Sequence, residues 1–346
     1  MKNEGAYLPE YKWHVESAKP KVGADFSEKI CYNTCVMQLF AGSSHPELAK
    51  NIAKELGADL GKVMLKTFSS GERYVKYEHS IRGQDVWIVQ TAGTGSVNED
   101  LMELFLMCQA AKLSFAKTVH VVMPYFPYAR QDRIAEPREP ISSKLVAHLL
   151  EESGADHVVT LNLHSDQIQG FFSVPVDALE ARTVFAKYFK EKNLKDIVVV
   201  SPDEGGAKRA KKFADLIDAD LAIIHKSRPS HQEVEMLELV GDIENRTCII
   251  FDDMIDTAGS LVAAKNALIN AGANPDVYAV ATHPLFSGPA IERFQKAAFK
   301  EVVVTNSIPT DPNAFPGLTI LPIAPLLAQV ISNVDKGESV TKIYDK

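Results

Sequence analysis

The run from Cys248 to Asn270 sets acids, hydroxyls and a glycine in an order that suits a sugar phosphate. Cys248-Ile249-Ile250-Phe251 is a short apolar run, expected as a buried strand. Two adjacent acids, Asp252 and Asp253, end it. After Met254 and Ile255 comes the small polar loop Asp256-Thr257-Ala258-Gly259-Ser260, and a helical pattern follows from Leu261 to Ile269. Backbone N–H groups in such a loop, together with the helix N-terminus, suit a phosphate. The two acids suit ribose hydroxyls or a divalent ion.

Other segments add positive charge. Tyr128-Ala129-Arg130-Gln131-Asp132-Arg133, with Arg138 just beyond, follows an apolar run and two prolines. Arginine pairs bidentately with phosphate oxygens. A single arginine here would read as surface ion pairing. Three in nine residues of an acidic chain point to a polyphosphate clamp. In His225-Lys226-Ser227-Arg228-Pro229, Lys226 and Arg228 alternate, so an extended backbone sends both side chains the same way. Two converging cations suit the charge that develops in phosphoryl transfer. The segment alone is equally well an ordinary basic strand end. His164 in Asn162-Leu163-His164-Ser165 and Asp203 in Ser201-Pro202-Asp203-Glu204-Gly205-Gly206 close two further strands. Facing one crevice, they can share Mg2+ with water and substrate oxygens. Their spacing carries no metal signature, and a lone strand-end histidine is more often structural. Phe68-Ser69-Ser70-Gly71-Glu72 reads as a surface turn, or as a turn that stacks on a nucleobase.

These segments need strand ends to hold them. Strands are expected at Met37–Ala41, Val86–Gln90, Val119–Met123, His157–Leu161, Ile197–Val200, Leu221–Ile224, Cys248–Phe251, Val277–Ala281 and Val302–Thr305. Helical patterns separate most of them, among them Pro46–Leu56, Asn98–Ala111, Ile141–Glu151 and Glu180–Lys192. That alternation implies an α/β fold of parallel sheets with helices on both faces. So many strands exceed one comfortable sheet, so two doubly wound halves are expected. The boundary falls at Glu180: an extension over 1–36, an N-terminal α/β domain over 37–179, a C-terminal domain over 180–335 and a tail over 336–346. Such folds bind ligands at the carboxyl ends of their strands.

The chain has 346 residues, 46% hydrophobic and 24% charged, with a formal net charge of −8. Length and composition fit a globular protein of two ordinary domains. An acidic chain is a poor general nucleic-acid binder, so any phosphate site must concentrate cations locally. Cys31, Cys35, Cys108 and Cys248 form no zinc pattern. No apolar run reaches membrane-spanning length. The first 36 residues hold neither an apolar signal core nor an arginine, which argues against a secretory or transit peptide. A cytosolic protein is expected. No Walker loop, dinucleotide fingerprint, H-E-x-x-H or G-x-S-x-G elbow occurs, so ATP, if used, is held otherwise.

Taken together, these segments resemble the ribose-phosphate diphosphokinases, the phosphoribosyl diphosphate synthetases of the phosphate-regulated class. The resemblance runs from about Met37 to the C-terminus. Its most specific part is Leu161 to Asp177, Leu-Asn-Leu-His-Ser-Asp-Gln-Ile-Gln-Gly-Phe-Phe-Ser-Val-Pro-Val-Asp. The Phe68–Glu72, Tyr128–Asp132, Ser201–Gly206, Lys226–Arg228 and Asp252–Ser260 segments recur in family order.

The resemblance implies two domains of the phosphoribosyltransferase type and specific roles. Phe68, Ser70 and Glu72 would meet adenine across a subunit boundary, and Arg130 and Gln131 would bind ATP. His164 and Asp203 would hold Mg2+. Lys226 and Arg228 would stabilise the transition state. Arg228, Asp252, Asp253, Asp256, Thr257, Ala258, Gly259 and Ser260 would bind ribose 5-phosphate. Ser80, Arg82, Ser339, Val340 and Thr341 would form a regulatory site between subunits, activated by inorganic phosphate and inhibited by ADP, in a homohexamer built from dimers. Ser70 stands where the family usually has Asp, Asn162 replaces the usual Asp before the histidine, and Ser260 replaces the common Thr. The rivals are a phosphoribosyltransferase and a non-catalytic regulatory homologue in a synthetase complex.

Overall fold

A continuous apolar strand such as Asp85–Val89 cannot face water on either side, so it demands helices above and below. The computed structural model supplies them; it describes residues 37–93, 95–227 and 236–343. In chain order the first half runs β1 (Gln38–Ala41), α1 (Pro46–Leu56), β2 (Val63–Thr67), β3 (Arg73–Tyr77), β4 (Asp85–Val89), α2 (Val97–Leu113), β5 (Thr118–Met123), α3 (Ser142–Glu152), β6 (His157–Leu161) and β7 (Val176–Leu179). The second half runs α4 (Arg182–Lys192), β8 (Ile197–Ser201), α5 (Ala207–Leu216), β9 (Asp220–Ser227), β10 (Met236–Val240), β11 (Thr247–Ile255), α6 (Gly259–Asn270), β12 (Tyr278–Pro284), α7 (Ala290–Ala297), β13 (Glu301–Thr305), β14 (Leu318–Leu321) and α8 (Ala324–Asp335). Among the described residues no helix is long and apolar enough to cross a membrane.

The first sheet has the order β1-β4-β5-β6-β7, all parallel. The second has the order β10-β9-β8-β11-β12-β13-β14, parallel except for the antiparallel edge strand β10. Its order reverses between β8 and β11, which pair in parallel from Thr247↔Ile197 to Ile250↔Val200. A crevice opens at the carboxyl ends of strands where the order reverses. β2 and β3 form a separate antiparallel hairpin.

All nine expected strands are present, most of them a residue or more longer. The hairpin, β7, β10 and β14 went unanticipated. β2 and β3 mix Lys66, Arg73 and Lys76 with apolar residues on a half-exposed surface, so no buried run marks them. β11 extends four residues past Phe251, carrying both acids and Ile255 inside the strand.

The ends of α1 illustrate local determinism. His45 accepts the Leu48 N–H at its N-terminus, and Pro46 fits the first turn, where no N–H is needed. Gly57, at φ 65°, ends it in the left-handed region where glycine carries no Cβ penalty.

One apolar cluster joins residues of both sheets: Trp87, Val122 and Val159 from the first with Val199, Phe251 and Val303 from the second. α8 belongs to the same cluster and packs on α1; Leu327 and Ile331 of the one and Leu48 and Ile52 of the other are all buried in it. Each fully buried side chain of this kind contributes about 1.5–3 kcal/mol relative to exposure.

Candidate active site

The end of β11 is the centre of the site. Asp252 and Asp253 both reach a cavity of about 450 Å³ at that end, and their side chains also interact with each other. Asp252 is half-buried. Its Oδ1 accepts the Asp253 N–H at 2.8 Å. The Asp253 side chain is 2% exposed, and both of its oxygens are engaged. Oδ2 lies 2.8 Å from His164 Nδ1, and Oδ1 accepts from Arg209 Nη2 at 3.3 Å.

The same cavity is lined by Arg130, His164, Asp203, Arg209 and the loop from Asp256 to Ser260. Four chain segments therefore converge: the ends of β6, β8 and β11, and the loop after β5. Asp203 follows β8, where its Oδ1 accepts the Gly206 N–H at 2.9 Å and Ser201 Oγ donates to its carbonyl at 2.6 Å. Those bonds fix a tight turn and leave the second carboxylate oxygen without a partner among the described residues. His164 Nε2 is likewise without one.

At the loop, Ala258 takes a left-handed φ of 61° and α6 starts at Gly259. The first N–H groups of a helix have no carbonyl behind them, so those of Gly259, Ser260 and Leu261 are open to an anion. Arg293 on α7 donates to the Thr257 carbonyl at 2.8 Å. Arg130 reaches Asp256 across the crevice at 2.7 Å.

Electrostatics follow from these contacts. The hydrogen bond to Asp253 raises the pKa of His164, outweighing burial. For Asp253, burial works against ionisation, yet the His164 hydrogen bond and the Arg209 charge win and lower its pKa. Burial and the adjacent Asp253 charge drive Asp252 well up. Burial also opposes ionisation at Asp256, where Ser287 and Arg130 bring the net shift down.

A second cleft of about 590 Å³ shares Arg130, His164, Gly205 and Arg209 with the first, and adds Arg133, Lys208 and the turn from Ser165 to Gln167. Gln131 lines a smaller cleft of about 270 Å³ beside Arg130, and its Oε1 accepts from Ser142 Oγ at 2.6 Å. Of the three arginines in that segment, Arg130 and Arg133 line these clefts, beside Lys208 and Arg209 of α5, and Arg138 lines none of them.

Mg2+ takes oxygen ligands, keeps several waters and uses few protein donors. No group of three or more His, Cys, Asp or Glu arranged for a metal occurs among the described residues. His164 and Asp203, each with an uncommitted donor atom in one cavity, fit an ion whose remaining ligands are water and phosphate oxygens.

Other expected site residues lie apart. Phe68, Ser70 and Glu72 form the tip of the β2–β3 hairpin, where Phe68 is 51% exposed and Ser70 Oγ donates to Glu72 Oε2 at 2.7 Å. That tip lines neither cleft. Ser80 and Arg82 border a separate groove of about 460 Å³, where the Arg82 guanidinium sits 4.6 Å from the Phe115 ring centre. Ser339, Val340 and Thr341 follow α8 and do not line that groove. Of Lys226 only the backbone is described. It pairs with Leu237, two residues beyond the Ile224↔Leu239 pair, and stands past the carboxyl edge of β8. Neighbouring His225 pairs with Glu204, in the turn that holds Asp203. Arg228, Cys31, Cys35 and the segment 1–36 lie outside the described residues. Cys108 and Cys248 are buried free thiols, as their apolar surroundings imply.

Sequence reasoning missed Arg209, Lys208 and Arg293. For the first two a signal existed. Lys208 and Arg209 sit in the first turn of α5, where the helix dipole disfavours cations, so a ligand or an acid must compensate. Arg293 lies far along the chain from the loop it holds and carried no such mark.

Residues 37–154 match the N-terminal domain of ribose phosphate pyrophosphokinase, and residues 229–345 match the phosphoribosyl synthetase-associated domain. A ribose-phosphate pyrophosphokinase of Oceanobacillus iheyensis is 47% identical over 315 residues, covering 91% of this chain and 99% of that protein. The one from Bacillus subtilis is 48% identical over 309 residues, covering 89% and 97%. The crystal structure of phosphoribosylpyrophosphate synthetase from Mycobacterium smegmatis superposes with a TM-score of 0.82 at 43% identity, covering 87% of this chain and 99% of that one. On sequence and on fold, this chain is a member of the ribose-phosphate pyrophosphokinase family of enzymes.

Proposed function

We propose that this enzyme transfers the β,γ-diphosphoryl group of ATP to the C1 hydroxyl of D-ribose 5-phosphate, giving 5-phosphoribosyl 1-diphosphate and AMP for nucleotide synthesis. One observation carries the reading: two adjoining clefts at the strand-order reversal share Arg130, His164, Gly205 and Arg209. Ribose 5-phosphate takes the first cleft. Its phosphate meets the loop from Asp256 to Ser260, and its ring lies near Asp252. The nucleotide phosphates take the second, against Arg130, Arg133, Lys208 and Arg209. The C1 oxygen then bonds to the β-phosphorus, its proton passes to water, and AMP leaves with the α,β-bridging oxygen.

Mg2+ held by His164 and Asp203 supplies charge neutralisation of the phosphate oxygens. The chain's own part is alignment and fixed positive charge, which dominate in phosphoryl transfer. Lys226, near the end of β9, and Arg228 add cations for the transition state. No general base is assigned. In this reading 37–179 is the nucleotide-side domain, 180–335 the phosphoribosyltransferase-like domain and 336–346 a regulatory tail.

Phe68, Ser70 and Glu72 hold the base of a nucleotide bound by a neighbouring copy. Their exposed position away from their own cleft supports that, and with it a homo-oligomer, a hexamer built from dimers. Ser80, Arg82, Ser339, Val340 and Thr341 complete a phosphate- and ADP-responsive site between copies. A cytosolic location fits the two free buried thiols.

The test is a coupled assay with ATP and ribose 5-phosphate alone, with and without inorganic phosphate. AMP and 5-phosphoribosyl 1-diphosphate in equal amounts are expected. Absence of AMP, or turnover that needs a free base and 5-phosphoribosyl 1-diphosphate as substrate, overturns the assignment.

A further inference from the structure

Two acids end β11, and they are not equivalent. Asp252 is half-buried at the cavity, where one oxygen accepts the neighbouring N–H and the carboxyl also interacts with that of Asp253. Asp253 is 2% exposed, and both oxygens are committed inside the protein. Its partner at 2.8 Å is the Nδ1 of His164, a residue 89 positions earlier and on the other sheet.

Arg209 ties the pair together. Its Nη1 donates to the His164 carbonyl at 2.6 Å, while Nη2 donates to Asp253 Oδ1 at 3.3 Å. One guanidinium thus fixes both the backbone that carries the imidazole and the carboxylate that orients it. The approach of β6 to this point is held as well. His283 Nε2 lies 2.9 Å from the Leu161 carbonyl. Asn162, at a positive φ of 42°, accepts the Ala181 N–H on its side-chain oxygen at 2.7 Å.

A carboxylate on one imidazole nitrogen decides what the other can do. In the neutral imidazole, Nδ1 donates its hydrogen to Asp253, which leaves the Nε2 lone pair for the cavity. Histidine ligands of metals are commonly oriented by an outer carboxylate in this way, and losing that carboxylate typically costs 10–100-fold in metal affinity.

We infer that Asp253, seconded by Arg209, is a positioning residue for His164 as a Mg2+ ligand, and that Asp252 is the carboxylate left for the ribose hydroxyls. The inference rests on the proposed reading of the site and assigns the paired acids separate tasks. Both acids line the cavity; this division gives the sugar to Asp252, because the Asp253 oxygens already meet His164 and Arg209.

The experiment uses the full chain without nucleotide. Mn2+ affinity is read by the electron paramagnetic resonance of free Mn2+, and ribose 5-phosphate affinity by calorimetry. Asp253→Asn keeps the side-chain volume. It is expected to weaken Mn2+ binding 10–100-fold and to leave ribose 5-phosphate binding within about twofold. Asp252→Asn is expected to do the reverse. In turnover, Asp253→Asn should raise the Mg2+ concentration for half-maximal rate without moving the KM for ribose 5-phosphate. Arg209→Gln, at a half-buried position, guards against misfolding of the buried variant and should weaken Mn2+ binding in the same sense. Wild-type Mn2+ affinity in Asp253→Asn, with ribose 5-phosphate binding lost, overturns the inference. His164→Ala separates it from the reading beneath: unchanged Mn2+ affinity there removes His164 from the metal site and the inference with it.

Discussion

Arg293 bonds to a carbonyl rather than to an acid, and that choice of partner gives it a role. By holding the Thr257 carbonyl at 2.8 Å, it turns that oxygen away from the anion and lets the loop present N–H groups. Replacing it with glutamine should cost about 1 kcal/mol in loop order, roughly a fivefold rise in the KM for ribose 5-phosphate with the KM for ATP unmoved. An unchanged KM for the sugar phosphate would leave Arg293 a surface residue only. Lys226 belongs to the chemical step instead. Lys226→Ala should lose about 2.7–4 kcal/mol of barrier lowering, the loss expected for one donor on developing charge. Near-normal kcat with intact ribose 5-phosphate binding removes that role.

Elements decide which residues can meet. β11 and its loop were legible because an apolar run, two acids and a small polar loop follow one another without a gap. The hairpin strands were not, since half-exposed strands alternate too weakly to stand out against charged surface. Convergence of His164 with Asp253 was illegible in principle, because pairing of strand ends is set by sheet order and not by spacing along the chain. β12 supplies a check on this positioning. Burial pushes the His283 pKa down to about 4 from an ordinary 6.5. The unfolded chain then binds the extra proton first, so this stabilisation is complete above pH 6.5 and is lost as pH falls towards 4. Thermal midpoints of the wild type should fall more steeply over that window than those of His283→Gln; equal slopes would refute the assignment. On the next layer, Phe213 of α5 stacks on Phe251 of β11 with ring centres 4.6 Å apart. Phe213→Ala should destabilise by about 3–5 kcal/mol, read by urea unfolding; a loss under 1 kcal/mol would mean that the site collapses around the gap.

At the scale of the whole molecule, one apolar cluster spans both sheets, beside a further cluster belonging to each sheet alone. Trp87, Phe251 and Leu327 come from three distant parts of the chain and share the spanning cluster. Alternation of elements implies two doubly wound halves, but it says nothing about which of their faces meet. With the interior shared, calorimetry should record a single unfolding transition, coincident by near-ultraviolet and far-ultraviolet circular dichroism. Two resolved transitions would show that each sheet keeps a sufficient interior of its own.

The packing of α8 on α1 also has a consequence for synthesis. Leu48 and Ile52 leave the ribosome early, but Leu327 and Ile331, which cover them, follow about 280 residues later. At 5–20 residues per second that delay is roughly 14–56 s. Through that interval the nascent chain carries an uncovered apolar stripe. The last helix made is therefore the latch of the first one, and until it arrives the growing polypeptide is a natural client for chaperones.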